Sequence, residues 1–321
     1  MRVGIAGYGL AGRSFHGPLL KGCGFEIAAI ATSNATRARQ AKDDFPLTNV
    51  VSDFSSLVKQ NLDLIIIATA NKVHAEQAHA AISAGIPVVI DKPAARTASE
   101  TAEIFAAAER AGVPITVFYN RLWDSDALTI KQVVRDGLIG KPFRLDSRFE
   151  RFRPQRNPAA WRENESPENG GGLLLDLQTH LISTALDWFG AAELTNAHIR
   201  SIRGESEDDV VLTLKHASGV DSYLSASAIS GNPGPRIRVL GSEGALVIED
   251  LDPQEALLRS GEFPEGGIWS VPTSSRAFIY RGDAREEIVA QPGNYGKFYR
   301  AVKEALATGS PLPISKEQVM S

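Results

Sequence analysis

Cysteine is nearly absent from this chain of 321 residues, with Cys23 its single instance. One thiol cannot close an intrachain disulfide, so stability must come from burial, and the chain suits a reducing cytoplasm. Long apolar runs are missing as well. The strongest, Leu64 to Ala70, is far short of the roughly 20 residues that a bilayer span requires. Met1-Arg2 leads directly into a strand pattern, with no signal-peptide character. Charge of one sign is not in excess: 34 basic against 38 acidic residues leave a net charge of −4. That balance predicts no nucleic-acid partner and no attraction to an anionic membrane. No His/Cys/Asp cluster has metal-ligand spacing; Asp176 and His180 would be two ligands without a third, so no metal is expected.

What is present is an ordinary globular composition, 43% hydrophobic and 22% charged, at a length that predicts two domains. From Arg2 to about Asn120, β-branched runs alternate with Ala-rich helical stretches. Strands are predicted at Arg2–Ala6, Glu26–Ala31, Asn49–Val51, Leu64–Thr69, Val88–Asp91 and Ile115–Tyr119, with helices such as Ala35–Asp44, Val73–Ala84 and Ala98–Ala111. Continuous apolar strands alternating with helices describe a doubly wound parallel sheet, the Rossmann α/β class. Residues 1–121 are the expected dinucleotide-binding domain.

After Tyr119 the pattern changes to strands of alternating polarity, including Phe143–Arg151, Asp209–Lys215, Val220–Ala228, Arg236–Leu240 and Ala245–Glu249. These predict an α+β domain over 122–321, built on a large, mainly antiparallel open sheet. It carries a linking helix at Asp126–Gly137 and a second helix at Leu173–Phe189. At the far end, Ser315 and Gln318 have capping-box spacing and predict a helix start. That helix would be short, which suggests truncation.

Gly7-Tyr8-Gly9-Leu10-Ala11-Gly12 has the spacing G-x-G-x-x-G between a strand and a helix. In that context the glycines allow a tight turn, backbone approach to a pyrophosphate and close helix–strand packing. A carboxylate that would hold an NAD ribose is expected at the end of the second strand, but Thr32-Ser33-Asn34 occupies that place. Ser33 and Arg37 are instead suited to a 2′-phosphate, so NADP is the expected cofactor, with NAD possible.

Hydride removal from a carbinol needs a base for the hydroxyl proton and a cation for the developing alkoxide. His180 suits the first role and Lys92, at the end of the fifth strand, the second. Asp176 lies one helical turn before His180 and can accept a substrate hydroxyl or orient the imidazole. Singly, each residue has an ordinary reading as a solvated or helix-surface charge; together with the glycine loop they outline a nicotinamide-dependent dehydrogenase. Asn120 and Arg121 follow the sixth strand, at the nicotinamide end. Arg153 and Trp161 are candidate substrate contacts, although the Arg/Phe-rich stretch around Arg153 also reads as a solvated strand end.

With these residues in view, the chain resembles the glucose–fructose oxidoreductase/inositol dehydrogenase family (Gfo/Idh/MocA) over almost its whole length. The glycine loop, Asp91-Lys92-Pro93 and Gly171-Gly172…Asp176…His180 resemble its three motifs. Ser14-Phe15-His16-Gly17-Pro18, Asn120 to Asp126, Arg151-Phe152-Arg153-Pro154 and Pro292-Gly293-Asn294-Tyr295 look like a bacterial subgroup that includes NADP-dependent scyllo-inositol dehydrogenases. The resemblance implies that Lys92, Asp176 and His180 act on a sugar or cyclic polyol hydroxyl. It also implies cofactor contacts at Thr69, Asn71, His74 and Asp91, substrate contacts at Asn294 and Tyr295, and a homodimer or homotetramer formed through the second sheet. The chain departs from the family in having Asp91 for the commoner Glu, Ala70 for a usual proline and Ser183 for a second Asp. Two alternatives share the fold: a non-catalytic dinucleotide-binding sensor, and a redox-neutral glycoside hydrolase that retains NAD.

Overall fold

A computed structural model describes residues 1–262 and 276–321. Its contacts divide the chain into two compact units.

In the first unit, β1 (Arg2–Ala6), β2 (Glu26–Ala31), β3 (Asn49–Val51), β4 (Leu64–Ile67), β5 (Val88–Asp91) and β6 (Ile115–Phe118) form one sheet in the order β3-β2-β1-β4-β5-β6. Every pairing is parallel. The strands are short and apolar because helices cover both faces: all four residues of β4 are buried. The order reverses between β1 and β4, the switch point where such sheets bind ligands at their carboxyl ends. Helices Ala35–Asp44 and Ala98–Ala111 fall where the sequence predicts them. The second is capped by Thr97, which accepts the Glu100 N–H at 3.1 Å, and ends at Gly112 with φ +65°. Strands β4 and β6 stop one or two residues before their apolar runs do, because apolar character outlasts the ladder pairing.

The second unit holds an eight-stranded sheet of β7 (Pro142–Glu150), β8 (Ala192–Arg200), β9 (Asp209–His216), β10 (Asp221–Ser227), β11 (Ile237–Gly241), β12 (Gly244–Ile248), β13 (Ala277–Arg281) and β14 (Ala284–Ile288), in the order β14-β13-β12-β11-β7-β10-β9-β8. Only β7 and β10 pair in parallel. One face packs on a helix whose Leu173, Leu177, Leu181, Ala185 and Phe189 recur every fourth residue and join Leu145, Phe149, Leu212 and Leu224 in the core. Strand β8 is exposed along nearly its whole length.

Two differences from the sequence expectations concern chain assignment and helix type. Helix Gln254–Ser260 and residues Asn294–Met320 group with the first unit rather than with 122–253. The buried Thr116 hydroxyl donates to the Ile314 carbonyl at 2.9 Å, and Lys316 pairs with Glu109 at 2.8 Å. The capping-box pair is formed: Ser315 Oγ accepts the Gln318 N–H, and Gln318 Oε1 accepts the Ser315 N–H, at 3.3 and 2.9 Å. The expected helix Leu173–Phe189 is a π-helical segment, Leu174–Gln178, continuing as α-helix Thr179–Phe189. A second π-helical segment, Ala11–His16, follows the glycine loop. Such wide turns are rare and concentrate where side chains must be re-aimed. Among the described residues no helix is long and apolar enough to cross a membrane.

Candidate active site

The glycine loop sits at the switch point. Gly7 has φ +89°, and its N–H donates to the Ala31 carbonyl at 2.9 Å. A Cβ there would come within 2.6 Å of the Ala68 carbonyl oxygen, just past β4, so only glycine fits. A Cβ on Gly12 would overlap the Gly7 carbonyl; this is the close helix approach the motif predicts. Above Gly9, by contrast, the nearest atoms are the tip of Arg37, whose guanidinium would lie 3.7 Å from an added Cβ.

The Tyr8 side chain is buried and donates to Asp44 Oδ2 at 2.8 Å, while Arg13 Nε donates to the same oxygen at 2.7 Å. Burial would push the Asp44 carboxyl up, but the Arg13 and Tyr8 hydrogen bonds outweigh it and hold it below the usual range. Tyr8 therefore anchors the loop through its side chain. Leu10 is exposed, and Ala11 opens the π-helical segment. After β2, Asn34 caps the next helix by accepting the Arg37 N–H at 3.0 Å, and Ser33 is exposed beside it. The Gly9 backbone, with the Arg37 cation beside it and no carboxylate at the end of β2, fits a dinucleotide phosphate group.

Lys92 follows β5 at the carboxyl edge of the same sheet. Asp91 Oδ1 accepts the Lys92 N–H at 2.9 Å, and the Lys92–Pro93 peptide is cis. Burial raises the Asp91 carboxyl, yet His16, Lys92 and His74 together hold it below its ordinary value. His74 is buried between two carbonyls: Nδ1 lies 2.9 Å from Pro93 O and Nε2 3.2 Å from Thr69 O. It thus ties the loop after β4 to the turn after β5. The Thr69 hydroxyl donates to Gln77 Oε1 at 2.8 Å, and Asn71 and Asn120 are buried. Ala70 adopts φ −75° and ψ 144°, a proline-compatible conformation without the proline. Asn294 is nearly buried, and Tyr295 is fully buried, with its N–H donated to Gln254 Oε1 at 2.7 Å. Tyr295 has no exposed surface to offer a substrate in this structure.

In the second unit, Asp176 lies in the π-helical segment and His180 in the α-helix that continues it. The His180 ring packs edge-on to Phe149 at 6.0 Å, and its carbonyl accepts the Ser183 and Thr184 hydroxyls at 3.1 and 2.9 Å. Ser183 thus bonds to the His180 backbone. Arg121 is buried, pairs with Asp124 at 3.1 Å and lies 5.4 Å over Phe149. Both of these contacts lie within the second unit. The Arg153 side chain is exposed; its N–H donates to the Ala228 carbonyl at 2.6 Å.

Two residues at this site escape the sequence reading. Arg162 Nε lies 3.3 Å from Asp176 Oδ1, and the same guanidinium stacks 4.5 Å over the Trp161 ring. Glu207 Oε1 accepts the Leu174 N–H at 3.1 Å, capping the helix that carries Asp176. A Cβ on Gly172, whose φ is +88°, would overlap that carboxylate. Neither partner is signalled locally, since both pairings join segments distant in sequence. Among the described residues no cluster of three or more His, Cys, Asp or Glu is arranged for a metal ion.

Residues 1–119 match the description "Oxidoreductase family, NAD-binding Rossmann fold", and residues 127–247 match the "GFO/IDH/MocA C-terminal domain". The chain is 35% identical to the oxidoreductase YdgJ of Escherichia coli K12, across 100% of this chain and 92% of that protein. It is 33% identical to scyllo-inositol 2-dehydrogenase (NADP(+)) IolW of Bacillus subtilis, across 99% of this chain and 89% of that one. The solved structure of the Bacillus subtilis oxidoreductase YvaA shares the fold with a TM-score of 0.88 at 32% identity, covering 100% of this chain and 93% of that one. With both halves matched and the fold shared, the chain belongs to the Gfo/Idh/MocA oxidoreductase family.

Proposed function

We propose that the protein is an NADP-linked dehydrogenase that oxidises a secondary hydroxyl of a sugar or inositol-type polyol, or reduces the corresponding ketone. The observation that carries this reading is the Gly9 backbone with the Arg37 guanidinium as its nearest neighbour, on the same sheet edge as Lys92. Gly7, Gly9, Gly12, Ser33 and Arg37 would hold the dinucleotide, which supplies the hydride acceptor. Thr69, Asn71, His74 and Asn120 would support the nicotinamide end. The Lys92 ammonium stabilises the developing alkoxide, and a His180 ring nitrogen takes the hydroxyl proton. Asp176, held 3.3 Å from Arg162 Nε, accepts a hydrogen bond from a substrate hydroxyl. The relative IolW is an NADP-dependent scyllo-inositol dehydrogenase by name, which supports both the cofactor and the substrate class. The reading includes a cytoplasmic homodimer or homotetramer formed through the second sheet, where Leu194, Ile199 and Tyr223 are exposed apolar groups.

The test is to incubate the folded protein with NADP⁺ or NAD⁺ and a panel of inositols and aldoses, following reduced-cofactor absorbance. Reduction of NADP⁺ in preference to NAD⁺ by one polyol class is the expected result. Glycoside cleavage without net reduction would replace the reading with a redox-neutral hydrolase. Dinucleotide binding with no turnover across the panel would replace it with a sensor.

A further inference from the structure

Behind Lys92, inside the first unit, lies a buried polar chain that the proposed chemistry does not use. His16 ends the π-helical segment after the glycine loop and has no exposed surface. Its Nδ1 is hydrogen-bonded to the hydroxyl of Tyr299, a fully buried residue of helix Gly296–Thr308. The ring lies on Phe118 at 4.8 Å, and Phe118 pairs with Asp91 in the β5–β6 ladder. His16 Nε2 points at Asp91 Oδ2 from 3.8 Å, too long for a hydrogen bond but close enough for electrostatic attraction. The other carboxylate oxygen, Oδ1, accepts the Lys92 N–H at 2.9 Å.

With His16 neutral, the protons along this chain have one consistent placement. Burial, with smaller contributions from Asp91 and Cys23, pushes the Tyr299 phenol well above its ordinary pKa, so it keeps its proton. Among the described residues that hydroxyl has no acceptor other than His16 Nδ1. A donated phenol proton makes Nδ1 the acceptor, so a neutral imidazole carries its hydrogen on Nε2, facing the Asp91 carboxylate. The opposite tautomer would leave the phenol O–H without an acceptor among the described residues and set a ring lone pair against a carboxylate, and both are unfavourable in a buried site.

We infer that His16, with its tautomer set by Tyr299, is a positioning residue that orients Asp91 and thereby fixes the turn presenting Lys92. The inference rests on the proposed role of Lys92 as the cation for the reacting hydroxyl. It explains why a buried histidine occupies the first turns after a cofactor loop, where an apolar residue would pack equally well.

The test compares His16→Asn, His16→Gln and Tyr299→Phe with Lys92→Met, using scyllo-inositol and NADP⁺ for turnover and NADPH fluorescence for binding. A Gln amide nitrogen can reach the place of Nε2, whereas an Asn amide reaches only that of Nδ1. Expected is a fall in kcat of about 10- to 100-fold for His16→Asn and Tyr299→Phe, the scale of a misplaced catalytic group, with KM and NADPH affinity held within about threefold. His16→Gln should recover most of the lost kcat. Equal turnover for the Asn and Gln variants, with thermal stability falling in parallel, would make His16 a packing residue and overturn the inference. Should the His16 variants not fold, wild-type kcat in Tyr299→Phe would overturn it alone. Lys92→Met separates the two levels: wild-type turnover there removes the role of Lys92 itself, while lost turnover there with normal His16→Asn removes only the positioning role.

Discussion

Arg162 holds Asp176: a guanidinium stacked on Trp161 lies 3.3 Å from the carboxylate that the glycine-rich turn delivers to the helix. Both side chains are partly exposed, at 32% and 24%, so the pair contributes at most about 1 kcal/mol to stability. Its effect falls on the orientation of Asp176. Arg162→Ala should leave the melting temperature nearly unchanged and lower kcat/KM for a polyol about tenfold, the equivalent of about 1.4 kcal/mol. Unaltered kcat/KM in steady-state kinetics would assign Arg162 to the surface alone.

Removing the proposed base is the more severe change. His180→Ala should reduce kcat by roughly 10²–10⁴-fold while NADPH still binds, because general-base catalysis has that magnitude. Circular dichroism must accompany the kinetics, since the ring packs against Phe149.

Gly9 and Gly12 share a motif but not a constraint. A methyl on Gly12 overlaps the Gly7 carbonyl, whereas one on Gly9 meets only the tip of Arg37 at 3.7 Å. Gly12→Ala should therefore lose both stability and cofactor affinity. Gly9→Ala should keep its melting temperature and lose affinity only, as read by NADPH titration.

Ala70 offers a gain. Its φ of −75° and ψ of 144° already match proline, and the neighbouring loop is tied by His74 to the turn containing Lys92. Ala70→Pro should raise stability by about 0.4–1 kcal/mol by narrowing the unfolded ensemble. A lower denaturation midpoint would show that the loop needs the Ala70 N–H.

Glu207 predicts a pH dependence. Burial raises its carboxyl pKa, Asp208 and Glu168 add to the rise, and the Leu174 N–H opposes it. A carboxyl whose folded pKa lies above its unfolded value of about 4.3 stabilises fully below that value and loses the contribution as pH rises through the folded pKa. Glu207→Gln keeps an acceptor for Leu174 and removes the ionisation. Its urea midpoint should fall less than that of the wild type as pH rises from about 4 toward neutrality. Parallel pH profiles would show that the carboxyl titrates normally.

Much of the fold was legible because its signals are local. The glycine spacing, the buried apolar strands and Ser315 three residues ahead of Gln318 each act within one turn or one strand. The helix bearing Asp176 and His180 was visible, but its π-helical start was not, because wide turns have no residue signature. The grouping of Asn294–Met320 with the first unit was equally hidden, resting on contacts such as that between Thr116 and Ile314.

The sequence alone determined the two-part architecture, the family and the chemical inventory: a cradle, a cation, an acid and a base. Side-chain commitments were decided only by the tertiary structure. It turned Tyr8 toward Asp44, set Arg162 on Asp176, paired Arg121 with Asp124, and joined His16 to Tyr299 across 283 positions. Periodicity and propensity describe how a residue relates to its near neighbours, whereas a buried polar group takes whichever distant partner the packed fold brings within hydrogen-bonding reach.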